Sequence, residues 1–187
     1  MSLLRKSSKI LVLILLFACS TATDHQYIEK GKLIADDSFK ILSGHVKSAI
    51  QEGGVGHAIQ YCNLKANPLI DSLSKRNNVS IRRISFNARN PLNRPQNHEK
   101  EVLIGFANAH KEGRKSDPLV VIAQDGSHIY YQPIYISAPL CLTCHGNPGI
   151  TIAQADYDLI LSLYPADAAI GYQEGDLRGM WSITFSE

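Results

Sequence analysis

Cys141-Leu142-Thr143-Cys144-His145 is the stretch on which the reading of this chain turns. It has the form C-x-x-C-H, the attachment signature of a c-type haem. Two thiols that add to the two vinyl groups of one haem must sit a short, fixed distance apart. The imidazole that follows is placed to ligate iron on one face of the ring so tethered. Two other readings compete. A thioredoxin-like redox pair needs a reactive thiolate at a helix N-terminus in a βαβ setting, and the flanks Pro139-Leu140 and Gly146-Asn147-Pro148-Gly149 do not supply it. A zinc site would take Cys141, Cys144, His145 and the distant Cys62.

Outward from the motif, composition sets the frame. The chain has 187 residues, 44% of them hydrophobic, and a net charge of +2. That suits one domain with a sizeable core and gives no basic excess for nucleic acid. Arg5, Lys6 and Lys9 precede an apolar run from Ile10 to Phe17. The run is far shorter than the roughly 20 residues of a membrane-spanning helix. Residues 1–18 therefore read as a signal peptide, and residues 19–187 as a single domain. Leu16-Phe17-Ala18-Cys19 resembles a bacterial lipoprotein signal, with Cys19 the lipidated residue, although Phe17 departs from the usual small or β-branched residue there. Ordinary secretion with cleavage near Ala22, or an uncleaved short anchor, is the alternative. The expected location is the bacterial periplasm, attached to a membrane by lipid.

Four cysteines can then be accounted for. Lipid takes Cys19, and haem takes Cys141 and Cys144. Cys62 is left as an unpaired thiol in an oxidising compartment. Without lipidation a Cys19–Cys62 disulfide is the alternative, an unattractive one for a leader end.

The rest of the chain reads as a mixed α+β domain. Thr23–Gln51 is a long N-terminal helix ended by Gly53-Gly54; between an anchor and a domain it would also suit a homodimer-forming stalk. Gly56–Asn77 is a second helix, with Pro68 expected to kink or restart it. Its apolar face carries Ala58, Cys62 and Ala66. Cys62 is either a buried small hydrophobe or an iron ligand with two alanines leaving room for a planar ring. Val79–Phe86 alternates as a strand, so Arg82 and Arg83 point to opposite faces. Arg82, Arg83 and Arg89 are candidates for haem propionates, against solvated or structural roles. Asn97–Gly113 is an amphipathic helix capped by Asn97. Leu119–Ala123 and His128–Ile136 flank an Asp125-Gly126 turn and read as a hairpin, in which Pro133 marks an edge or a break. Thr151–Leu163 is a helix. Met180–Phe185 is a last strand that places Met180 on a more polar face than Trp181. His110 and Met180 are weak alternatives as ligands.

Several stretches resemble a known family: Ala58-Ile59-Gln60-Tyr61-Cys62 with Ala66, Ile81-Arg82-Arg83-Ile84-Ser85 running into Arg89-Asn90-Pro91, the C-x-x-C-H motif with Gly146, and Tyr164-Pro165-Ala166-Asp167-Ala168 with Gly171-Tyr172 and Gly175-Asp176. The family is that of exported single-haem c-type proteins with a PAS-like fold, standing alone or ahead of histidine kinases. The resemblance implies an antiparallel sheet flanked by helices, one covalent haem c and a cysteine on an N-terminal helix as the second iron ligand. In this chain that residue is Cys62, opposite His145. The resemblance further implies a sensor of redox state or of a diatomic gas, with an unidentified redox or signalling protein as partner. Plain electron transfer by a monohaem cytochrome is the rival. Catalysis at an open iron would need an acid–base residue such as His57 or His110, and an enzyme is not expected.

Overall fold

The structure is a computed structural model that describes residues 18–185, with the backbone alone for 18–23. The side chain of Cys19 and the expected export segment, residues 1–18 apart from the backbone of its last residue, lie outside what is described. No helix among the described residues is both long and apolar enough to cross a membrane.

The first element, α1 (Ala18–Asn77), consists of two helical arms joined at Gly53 and Gly54, whose backbones leave the helical region. Gly54 has φ of 79°, a conformation that favours glycine. Beyond this pair the chain folds back on itself. His45 Nδ1 meets the Tyr61 hydroxyl at 2.9 Å, and Asp37 pairs with Arg76. The earlier partner moves back along the chain as the later one advances, so the arms run antiparallel. The two helices expected from the sequence are thus present, with the glycine pair as the reversal. Pro68 behaves otherwise than expected, because the helix continues through it. Proline removes the hydrogen bond to the carbonyl four residues earlier. Here that residue is Leu64, on an exposed face of the arm where water can replace the lost donor.

The remaining elements are β1 (Val79–Ile84), a 3-10 turn (Pro91–Asn93), α2 (Asn97–Lys111), β2 (Leu119–Ile122), β3 (His128–Tyr135), α3 (Pro139–His145), α4 (Gln154–Leu163) and β4 (Leu177–Phe185). The four strands form one antiparallel sheet in the order β1-β4-β3-β2, a PAS-like α+β arrangement with the long helix on one side. The β2–β3 hairpin turns at Asp125-Gly126, as its sequence predicts. β2 ends opposite Tyr131, so Pro133 lies where β3 has no neighbour on that side and its missing N–H costs nothing.

Both faces of the sheet are covered. Ala35, Ile70 and Leu73 of α1 pack on Ile81, Tyr130, Trp181 and Ile183. Leu103 and Phe106 of α2 pack on Ile84, Ile129, Tyr131 and Met180. The polar surroundings expected for Met180 are therefore corrected: it is fully buried, and Ser182 beside it nearly so. Alternation in β4 assigns Met180 its face, but α2 decides that the face is dry.

The cap of α2 also differs from expectation. Gln96, not Asn97, is the capping position, and the Glu99 carboxylate folds back to accept the Gln96 N–H at 2.7 Å. The same carboxylate, almost wholly buried, accepts from Arg82 Nη1 at 2.6 Å. Replacing Glu99 with Ala leaves a helix N–H and a partly buried guanidinium without their acceptor. The expected loss is about 2 kcal/mol of unfolding free energy, read from the urea midpoint at constant slope. A loss below about 0.5 kcal/mol would mean that water replaces both bonds.

Candidate functional site

A cavity of about 330 Å³ lies between α1, the sheet and α3. The second arm of α1 contributes Ala58, Cys62 and Ala66 to its wall, and the first arm Leu42 and Val46. The sheet adds Arg83, Arg178 and Trp181, while α3 adds Cys141, Cys144 and His145. The stretch from which the sequence reading began thus faces the one helical cysteine that reading singled out.

α3 is a short helix with Pro139 at its start, where a missing N–H is harmless, and Gly146 at its end. A Cβ on Gly146 would stand 1.9 Å from Thr151 Oγ1 and 2.8 Å from the Leu142 carbonyl oxygen, so no side chain fits. The glycine-rich segment that follows α4 closes over this end. Tyr172 N–H donates to the His145 carbonyl at 3.0 Å, and Gly171 N–H to the Gly146 carbonyl at 2.8 Å. His145 Nδ1 is 2.8 Å from the Ala169 carbonyl oxygen. A carbonyl can only accept, so Nδ1 carries the proton and Nε2 keeps its lone pair. Burial, then Arg178, Arg89 and Arg83, hold this imidazole neutral far below its ordinary pKa. A neutral ring with its other nitrogen fixed on a carbonyl is the form that binds metal.

A buried ion pair supports that wall. Arg89 donates to both oxygens of Asp167, at 3.2 and 3.1 Å, and to the Cys144 carbonyl at 2.5 Å. Asp167 Oδ1 also accepts the Ala169 N–H at 3.0 Å. The Asp167 side chain is wholly buried. One carboxylate therefore ties the loop after β1, the C-x-x-C-H helix and the carbonyl that orients His145.

Burial raises the Cys62 thiol pKa; Cys144 nearby adds to this, and Arg83 and Arg89 oppose it. Burial also raises that of Cys144. Neither shift is the lowering that a reactive thiolate shows. Among the described residues no three His, Cys, Asp or Glu side chains gather as a metal set, so the four donors of the zinc alternative are not assembled.

The arginines sort differently from the sequence reading. Arg82 and Arg83 do point to opposite faces, but Arg82 stands outside the cavity on Glu99. Arg89 reaches the cavity wall with its guanidinium engaged by Asp167 and Cys144. Arg83 faces the cavity. Arg178, which the sequence did not single out, joins it there. The pairing of β3 with β4 passes from Gly179 directly to Leu177, leaving Arg178 as the extra residue of a β-bulge. A bulge re-aims a side chain, and simple alternation would have sent Arg178 to the α2 face with Met180. His57 lies 3.7 Å from Glu52 and His110 lies 3.8 Å from Asp176, and neither lines the cavity; nor does Met180. Of the proposed iron ligands, the cavity presents His145 and Cys62.

The donors fit the group that the motif calls for: a fixed neutral imidazole, two thiols one helical turn apart, a cysteine across from them between small residues, and cationic side chains at the wall. Fold and site together define a PAS-like α+β domain built around a cavity that displays a C-x-x-C-H helix to a helical cysteine. The chain belongs to the Tll0287-like family, whose model matches residues 20–186. Its fold is similar to the crystal structure of the cyanobacterial heme-protein Tll0287, with a TM-score of 0.58 and 24% identity over 85% of this chain and 95% of that one. The comparison with curated proteins gave no match.

Proposed function

We propose that this chain binds one haem c covalently through Cys141 and Cys144, with His145 and Cys62 as iron ligands, and senses redox state or a diatomic gas by releasing Cys62. The observation that carries the reading is the 2.8 Å bond from His145 Nδ1 to the Ala169 carbonyl. It leaves Nε2 free beside a cavity whose α1 wall holds Cys62. The similarity in fold to the cyanobacterial heme-protein Tll0287 supports the same cofactor.

Bound haem supplies an iron that cycles between ferric and ferrous states. Cys62 as thiolate is a strong donor to the ferric state, and a thiolate ligand favours that state. Cys62 would hold the ferric iron as thiolate and, on reduction, would be released as a thiol with a proton drawn from solvent through the open cavity. Burial, which raises its pKa, favours that protonated form. His145, clamped from its backbone and from Nδ1, stays in place. Arg83 and Arg89 oppose the rise in the Cys62 pKa. The N-terminal segment, basic and then apolar up to Cys19, supports a periplasmic protein held to a membrane by lipid.

Optical spectra of ferric and ferrous protein test the ligand assignment. The wild type is expected to be low-spin when ferric, and Cys62→Ala to be high-spin. An unchanged low-spin spectrum in the variant would sink the assignment of Cys62. Oxidative and reductive titrations that coincide, at equal and fast rates, would favour plain electron transfer over a ligand switch.

A further inference from the structure

Three guanidinium-bearing residues, Arg83, Arg89 and Arg178, line the cavity together with His145. Among the described residues, one carboxylate is paired with them. Asp167 belongs to Arg89, at 3.1 and 3.2 Å. Arg83 and Arg178 make no ion pair among the described residues, although both line the cavity. Arg178 Nε is buried without any hydrogen-bond partner. A guanidinium cannot discard its proton, so a half-buried one without a carboxylate partner is left incompletely compensated. Two such groups around one cavity call for a ligand with two negative charges. Resting on the haem reading above, we propose that Arg178 and Arg83 each hold one of the two haem propionates.

The local build suits the task. The bulge turns Arg178 away from the α2 face and toward the cavity. The Tyr172 ring lies under its guanidinium at 5.3 Å, a cation–π contact that holds it at the cavity wall. The same Tyr172 meets the His145 ring edge-on at 6.4 Å, so one aromatic side chain positions both groups. Arg83 projects from β1 on the sheet face that packs against α1, beside Ile81 and opposite Trp181. A planar fork matches a carboxylate with two parallel bonds. Arg89, bonded to the motif through the Cys144 carbonyl, is already occupied by Asp167, so the assignment falls on the two residues without a carboxylate partner among the described residues.

The test is spectroelectrochemistry of haem-loaded wild type, Arg178→Met, Arg83→Met and the corresponding Lys variants across mildly acid to neutral pH. Each Met variant is expected to show a lower midpoint potential, because an uncompensated propionate favours ferric iron. It should also gain a potential that falls as pH rises, because the propionate, stripped of its cation, titrates in that range. Lys keeps the charge but loses the fork. It should restore most of the potential while shifting the propionate bending mode in the resonance Raman spectrum. Where a Met variant fails to load haem, the Raman shift of the Lys variant decides, and a wild-type mode overturns the assignment. A wild type without haem absorption overturns the haem reading and the propionate assignment with it. A haem-loaded wild type beside loaded variants of unchanged potential and pH profile overturns the assignment alone.

Discussion

Asp167→Ala is expected to lower the unfolding free energy by about 3–5 kcal/mol, the usual cost of removing one member of a buried pair. The Asp167 side chain is fully buried and that of Arg89 is only 15% exposed, so water cannot take the place of the lost carboxylate. Three further restraints weaken with it: the Ala169 N–H loses its acceptor, the Ala169 carbonyl loses its fixed position, and the His145 ring loses its orientation. Asp167→Asn keeps an acceptor for the Ala169 N–H but not the charge, and should fall between wild type and Ala. Guanidinium unfolding measures both. The mechanism requires coupling, so Asp167→Ala combined with Arg89→Ala should cost clearly less than the two single losses added together. A single loss under 1 kcal/mol, or strict additivity, would show that the pair is not the support described.

Cys141→Ala with Cys144→Ala should have the larger effect of the two, because it removes the tether on which the proposed haem depends. A closed, dry cavity of 330 Å³ would cost up to about 8 kcal/mol, at about 24 cal/mol per Å³. This one opens to solvent, and water lowers that bound. A haem bonded to α3 and ligated by Cys62 would also close a loop of roughly eighty residues, worth at most about 4.5 kcal/mol where the ligand bond persists in the unfolded chain. Either contribution is a large share of the 5–15 kcal/mol typical of a domain. The double variant should therefore melt about 10 °C or more below the haem-loaded protein. A difference under about 3 °C in thermal unfolding followed by far-UV circular dichroism would show that the fold does not lean on the proposed haem.

Much of this site is legible along the chain because it is local. The C-x-x-C-H spacing is complete within five residues. Ala58, Cys62 and Ala66 share a helical face by their spacing of four. Gly53-Gly54 and Asp125-Gly126 announce their turns because glycine reaches backbone conformations other residues avoid. What stayed hidden is long-range or irregular. Arg89 and Asp167 are 78 residues apart, and neither carries a local sign of the other. Arg178 was concealed by the bulge, since alternation assumes an unbroken pleat. Met180 was given the right face but the wrong surroundings, because what covers a strand is written in another element, here α2. Pro68 misled because the cost of a proline in a helix depends on whether the orphaned carbonyl can meet water.

The two walls of the cavity are held in different ways. On the α3 side, His145 is held through its ring, its own carbonyl and the carbonyl of Cys144 just before it. On the α1 side, Cys62 sits within an arm that reverses at two glycines and rests on side-chain packing. A bond spanning the gap would join a wall held by hydrogen bonds to one held by side-chain packing. A change in its length would reach residues 55–67 before it moved the imidazole. Strain therefore leaves the site in one direction, outward along α1, and the hydroxyl of Tyr61 on His45 is the first point where the other arm would feel it.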